Sequence, residues 1–303
     1  MEQQTTIKSP FTLSGPGLHT GQYTHATVKP AAAGTGIIFR RTDVPCSADI
    51  PALAENVSGT DHGTTVTVGG NSVSTIEHLM SAFHGLQIDN ALVEIDGPEV
   101  PILDGSARLW VENIANVGVT PLNMERNYFR LSEPVRYEDP SSGIILEGTP
   151  ADDFVVDSTI SFKSSLIGSQ NAVFSNYGSY SDQFACCRTF VFLHEVEFLL
   201  ANNLIKGGDL DNAIVFVDKP LGDDEKRRLA ALFNKDADTI QEHNGVLNTI
   251  QPFFPNEPAR HKLLDFMGDI FLAGRFLKGH FSLHCPGHRA NVELAKMIRE
   301  MIK

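Results

Sequence analysis

Hydrophobic positions along this chain follow two periods. Short runs rich in β-branched and aromatic residues, set between polar turns, predict strands over residues 24–29, 36–41, 64–68 and 91–95, and again over 128–131, 144–147 and 154–162. Helical spacing takes over at 75–85, 107–114, 260–273 and 290–302. The first of these helices opens on Ser74 and Thr75, side chains suited to an N-cap, with Glu77 in its first turn. The order of elements then repeats. Helix 75–85 leads to strand 91–95, a Gly-Pro turn and helix 107–114; helix 260–273 leads to strand 280–284, the Pro286-Gly287 turn and helix 290–302. This predicts an internal duplication and an α+β fold of two related domains, each a small sheet packed with helices. The domains are expected at 1–125 and 126–303, joined at the polar stretch Pro121 to Arg126. The second carries an insert at about 191–217, followed by a charged surface helix over 223–234 and a polar, irregular stretch to Asn256. Two such domains packed face to face bring helices 75–85 and 260–273 together, which puts an active site between the domains.

Those two helices carry the candidate chemistry. His261, Asp265 and Asp269 fall at i, i+4 and i+8, so they line one stripe of a helix whose other residues include Leu263, Leu264, Phe266, Met267 and Ile270. Ionisable groups on so apolar an element need partners, because burying a lone charge is costly. A plain i,i+4 ion pair is one reading of His261 and Asp265; chelation of a divalent cation is the other. Helix 75–85 adds Glu77 and His78, which as neighbours point about 100° apart. His78, His261 and Asp265 then form three ligands with one position open, as catalytic zinc requires, and Glu77 reaches the metal's water from the side. The bland role for Glu77 is stabilisation of the helix N-terminus.

Composition narrows the functional classes. A chain of 303 residues, 42% of them hydrophobic, can bury a large core. Its 24 basic and 37 acidic residues leave a net charge of −13, which argues against general nucleic-acid binding but permits one small anionic ligand held by local lysines and arginines. Cys46, Cys186, Cys187 and Cys285 form no C-x-x-C pair, and the acidic N-terminus has no signal-like region; both point to a reducing cytoplasm. No apolar run approaches the roughly 18 residues of a membrane span. Several histidines are decoys. His194-Glu195 lacks the second histidine of H-E-x-x-H. His280 and His284 share a strand face and read as structural or surface groups, and His19, His25, His62, His84 and His243 receive no ligand role. Of these, His19 lies in the Gly-rich opening and is the one expected nearest a pocket.

The segments Gly17-Leu18-His19-Thr20-Gly21, Ser74-Thr75-Ile76-Glu77-His78-Leu79, Pro101-Ile102-Leu103-Asp104-Gly105-Ser106, Arg188-Thr189-Phe190, Asp211-Asn212-Ala213-Ile214-Val215, Arg260-His261-Lys262-Leu263-Leu264-Asp265 with Gly268-Asp269, and Pro286-Gly287-His288 span essentially the whole chain. Together they resemble the UDP-3-O-acyl-N-acetylglucosamine deacetylases, which remove acetate in the committed step of lipid A biosynthesis. The resemblance implies Zn2+ bound by His78, His261 and Asp265, Glu77 as general base, and His288 as a second catalytic group oriented by Asp269. It implies that Thr189 helps hold an oxyanion, that Phe190 lines the sugar and acyl region, and that Lys262 lies near the nucleotide phosphates of an acylated UDP-N-acetylglucosamine. The insert would shape a passage for the acyl chain, with Phe190, Phe192, Phe198, Leu199, Leu200 and Leu204 as its apolar surface or as simple packing of the insert. No oligomer is required, and no fused dehydratase activity is expected. Two other classes remain open: a nucleotide-sugar sensor with a closed structural zinc, and a metal-free glycosidase using paired acids.

Overall fold

The computed structural model describes residues 2–201, 204–217, 221–233, 235–236, 238, 240–247 and 251–303. The first part of the chain forms β1 (Gln3–Ile7), β2 (Phe11–Pro16), β3 (Tyr23–Pro30), β4 (Ile37–Arg41), β5 (Ile50–Pro51), β6 (Val57–Gly59), β7 (Thr65–Val68), β8 (Asn71–Val73), α1 (Glu77–Gly85), β9 (Ala91–Ile95), α2 (Arg108–Val117) and β10 (Val119–Glu125). The rest forms β11 (Phe129–Arg130), β12 (Val135–Asp139), β13 (Ile144–Thr149), β14 (Phe154–Ser161), β15 (Ser169–Phe174), α3 (Tyr180–Gln183), β16 (Phe190–Phe192), α4 (Leu193–Ala201), β17 (Ile214–Phe216), α5 (Asp223–Leu232), β18 (Glu242–His243), β19 (Val246–Leu247), α6 (Glu257–Ile270), β20 (Leu277–His284) and α7 (His288–Ile302).

The two large sheets match strand for strand. One has the order β2-β3-β9-β4-β5 and the other β12-β13-β20-β14-β15, with β11 added beside β20. In both, successive neighbours along the order pair antiparallel, antiparallel, parallel and antiparallel. A parallel pair cannot be closed by a tight turn and needs a long crossover. The crossovers are the segments that contain α1, between β4 and β9, and α6, between β14 and β20, so each helix is returned to its own sheet. Alternation decides which face of a strand is buried: Leu277, Gly279, Phe281 and Leu283 of β20 point inward while His280 and His284 face solvent. Among the described residues no sheet combines strands from before and after residue 125.

The structure corrects the sequence reading in three places. Ser74 and Thr75 do not cap α1. Its N-cap is Ile76, without a side-chain hydrogen bond, and Thr75 (φ +57°) donates its hydroxyl to the buried Glu99 carboxylate at 2.9 Å, a stronger acceptor-donor pairing than a backbone cap offers. Helix α7 begins at His288, not at 290, because Gly287 is extended and serves as its N-cap. The stretch after α5 is not wholly irregular, since β18 and β19 complete a four-stranded sheet with β16 and β17.

Helices α1 and α6 cross almost backbone to backbone. Gly268 faces the Glu77 carbonyl so closely that a methyl group there would lie 2.1 Å from its oxygen, and Gly85 meets the Tyr180 ring in the same way at 2.2 Å. The crossing is stitched by His84, whose Nδ1–H donates to the Met267 carbonyl at 2.8 Å while its ring stacks on Phe271. Burial pushes the His84 pKa down to about 4, so it acts here as a neutral packing group. Where the two parts of the chain join, Arg126 hydrogen-bonds Asp89 at 2.8 to 3.1 Å and lies over the Phe276 ring at 4.5 Å. Gly268→Ala is expected to push α1 off α6, lowering stability by about 1–3 kcal/mol. The denaturant midpoint measures this, and an unchanged midpoint would show that the helices can part without loss.

Candidate metal centre and pocket

The stripe of α6 that faces α1 holds His261, Asp265 and Asp269, all buried, and α1 answers with the buried pair Glu77 and His78. The Nδ1–H of His261 donates to the Cys187 carbonyl at 3.1 Å, which leaves Nε2 with its lone pair toward Asp265. From Asp265 Oδ1, His261 Nε2 lies 3.4 Å away and His78 Nε2 3.6 Å away. Among the described residues the same Oδ1 is buried without a hydrogen-bond partner, whereas Oδ2 accepts from Lys262 Nζ at 2.8 Å. An orphaned buried carboxylate oxygen is costly. A tetrahedral ion 2.0–2.1 Å from each donor would separate the donors by about 3.3 Å, close to the spacings observed. The three donor atoms lie within 4.8 Å of one another. Two imidazoles and one carboxylate therefore fit a divalent metal here.

Electrostatics favour the liganding forms. Burial drives the His261 pKa down to about 3, so the ring is neutral near pH 7. Burial alone would raise Asp265, but the adjacent imidazoles and the Lys262 ammonium hold its carboxyl well below the usual range. Beside these donors stand two further titratable groups. Glu77 accepts the Thr64 backbone N–H on Oε2 at 2.9 Å, and among the described residues its Oε1 receives no hydrogen bond. Burial raises its pKa, opposed by the nearby His288 and His78. His288 donates Nδ1–H to Asp269 Oδ2 at 2.9 Å, with Nε2 3.9 Å from Asp265 Oδ2. Burial works to lower the His288 pKa, but the Asp269 charge and hydrogen bond outweigh it and raise the value to about 9. His288 is thus cationic where Glu77 is the candidate base.

These groups border a cavity of about 630 Å³. Its polar part is made by His19, Glu77, His78, Thr189, Lys262 and His288, and its apolar part runs past Phe190 to Val196, Phe198 and Leu199 of the insert. Thr189 is held by its backbone, donating N–H to the Gly105 carbonyl at 2.7 Å and accepting from Ile214 at 2.8 Å. The Phe190 ring stands edge-on to His261, and the Lys262 ammonium lies 5.7 Å from its centroid as well as on Asp265. Two of the expected passage residues are elsewhere. Phe192 packs against Phe162 and Phe216, and Leu204 offers its carbonyl to the His19 ring at 2.6 Å. The side chain of Leu200 lies outside the described residues. His19, given no ligand role, indeed borders the cavity, its Nε2 2.9 Å from the His62 carbonyl oxygen.

Sequence reasoning missed the groups that hold the site from behind. Asp269 also accepts from Thr64 Oγ1 at 2.6 Å and from Asn291 Nδ2 at 2.9 Å. Glu99 accepts from the amides of His19 and Thr20 and from the hydroxyls of Thr20 and Thr75. Asn291, three residues after His288 on a helix, was within reach of a spacing rule. Thr64 and Glu99 act across long sequence separations and carry no local signal.

The profile of the UDP-3-O-acyl N-acetylglycosamine deacetylase family matches residues 4–235 and 229–300. A bifunctional enzyme LpxC/FabZ of Porphyromonas gingivalis is 42% identical over 303 residues, which is all of this chain but 65% of that protein's length. A UDP-3-O-acyl-N-acetylglucosamine deacetylase of Oleidesulfovibrio alaskensis is 38% identical over 98% of this chain and 89% of its own length. A protein of the same name from Geobacter sp. is 39% identical over 99% of this chain and 89% of its own. With such matches along nearly all its length, the chain belongs to the UDP-3-O-acyl N-acetylglycosamine deacetylase family.

Proposed function

We propose that the chain is a zinc-dependent amidase that hydrolyses the N-acetyl group of UDP-3-O-(3-hydroxyacyl)-N-acetylglucosamine, releasing acetate in the committed step of lipid A biosynthesis. The observation that carries this reading is the buried Asp265 Oδ1, without a hydrogen-bond partner among the described residues, facing two imidazole nitrogens and flanked by a Glu77 oxygen and a cationic His288. The four free cysteines support a reducing cytoplasm as its place of work. Among the described residues three donors gather, one short of the closed shell of a structural zinc.

Amide hydrolysis needs a deprotonated water, an outlet for charge on the carbonyl oxygen and a proton for the leaving nitrogen. His78, His261 and Asp265 would hold the zinc, which when bound would supply Lewis acidity to activate a water near pH 7 and polarise the carbonyl. Glu77 takes the water proton on Oε1, and its raised pKa makes it a stronger base than an exposed carboxylate. As the water oxygen adds to the carbonyl carbon, the Thr189 hydroxyl and the His288 imidazolium stabilise the charge growing on the carbonyl oxygen. The C–N bond then breaks, nitrogen receives a proton from His288 Nε2, and acetate leaves. Asp269 keeps His288 charged and aimed, Phe190 packs against the sugar and the start of the acyl chain, and Lys262 lends positive charge toward the nucleotide phosphates while bound to Asp265. The apolar part of the cavity takes the acyl chain.

The decisive measurement is acetate release from the acylated UDP-sugar by metal-stripped and zinc-restored protein. Activity is expected only after zinc is restored; full activity in the stripped protein would sink the metalloenzyme, and none in either would sink the substrate. His78→Ala, His261→Ala and Asp265→Ala should each hold less zinc in equilibrium dialysis, and any variant that binds zinc like wild type removes its residue from the ligand set. Glu77→Ala should keep zinc yet lose turnover on the order of 10²-fold or more, whereas loss of metal would make it a ligand. Because the His288 pKa is raised, the active cation persists below about 9 and is lost as pH rises through that value. Asp269→Asn should therefore move the basic limb of the pH–rate profile to lower pH at unchanged zinc content, and a limb that stays in place belongs to another group.

A further inference from the structure

We infer that Thr64 is a positioning residue that sets, across the interface between the two halves, the spacing of the two proton-transfer groups Glu77 and His288. The inference rests on the deacetylase reading. Thr64 is fully buried and holds one group with each of its donors. Its backbone N–H donates to Glu77 Oε2 at 2.9 Å, and its hydroxyl donates to Asp269 Oδ1 at 2.6 Å, the carboxylate whose other oxygen holds His288 Nδ1–H. Glu77 lies on α1 and Asp269 on α6, so a single residue ties the base of one half to the acid of the other. Among the described residues the Glu77 carboxylate makes no other hydrogen bond, which leaves the Thr64 amide as the hydrogen bond that fixes it.

The hydroxyl is what makes that restraint stiff. An amide in a loop can drift, but one whose own side chain is bonded to a buried carboxylate cannot move without breaking a charge-assisted hydrogen bond. The preceding residue leaves no slack, since a methyl group on Gly63 would already lie 3.1 Å from Glu77 Oε1. Small displacements of reacting groups lower rates steeply, on the order of 10²-fold for 1 Å. A partial loosening of Glu77 relative to His288 should therefore appear in turnover and leave substrate binding nearly untouched.

The test compares Thr64→Val, which keeps the shape and loses the hydroxyl, with Thr64→Ser, which keeps the hydroxyl, each on zinc-loaded full-length protein of checked zinc content and melting temperature. Thr64→Val should lose kcat on the order of tenfold or more with KM changed less than about twofold, and Thr64→Ser should retain most of wild-type kcat. In an Asp269→Ala background the valine substitution should cost little further, because its route to His288 is already gone. Were the valine variant not to fold, Thr64→Ala gives the same comparison. Wild-type kcat in the valine variant, equal losses in valine and serine variants, or an undiminished loss in the Asp269→Ala background would each overturn the inference while leaving the deacetylase reading intact. A wild-type protein with no zinc-dependent acetate release would overturn both.

Discussion

The contact on which the site depends is the approach of α1 to α6 at Gly268, where the backbones of the two halves meet with no side chain between them. Helices in globular proteins usually pack 8–10 Å apart, at a distance set by the side chains at the contact, and a glycine at the crossing permits closer approach. Only at such a distance can His78 of one helix and His261 and Asp265 of the other bring single atoms within ligand reach of one point. A larger residue at that crossing would separate the donors even if every donor survived.

Close approach also creates the electrostatic problem that gives the site its chemistry. Three carboxylates, Glu77, Asp265 and Asp269, are withdrawn from water within one small volume, and each would be prohibitive alone. Asp265 is compensated by Lys262 and its imidazole neighbours, Asp269 by His288, Asn291 and Thr64. Among the described residues the Glu77 carboxylate is left with one backbone N–H. That inequality separates two of them: the Asp265 carboxyl is held well below its usual range, while the less compensated Glu77 gains affinity for a proton. On the proposed reading, the base and the acid of the hydrolysis would arise from the same crowding, without either group being chemically unusual.

Much of this was readable from residue spacing because helical periodicity is local. The i, i+4, i+8 stripe on α6 and the Glu77-His78 step on α1 survive translation into structure, and the repeated order of helix, strand and helix exposed two similar folding units, whose sheets match in strand order and direction. Four strands of the two large sheets escaped notice, β2, β5, β12 and β15; β5 is only two residues long, and β12 and β15 carry exposed polar residues, so their composition resembles that of loops. The caps failed for a different reason. Ser74 and Thr75 had better partners in Pro98 and Glu99, which no local rule can foresee. Thr64 was invisible on the same ground, and the roles assigned to Thr189, Phe190 and His288 came through family resemblance rather than spacing.

Three glycines mark where one half touches the other through backbone alone. A methyl on Gly105 would lie 2.0 Å from the Asn212 carbonyl oxygen, on Gly207 2.1 Å from that of Gly17, and on Gly268 2.1 Å from that of Glu77. Compensation by a smaller neighbour is impossible at such points, since a carbonyl oxygen cannot be trimmed. A chimera joining the first half of one relative to the second half of another would therefore have to match main-chain paths at these three seams, which no exchange of neighbouring side chains can repair.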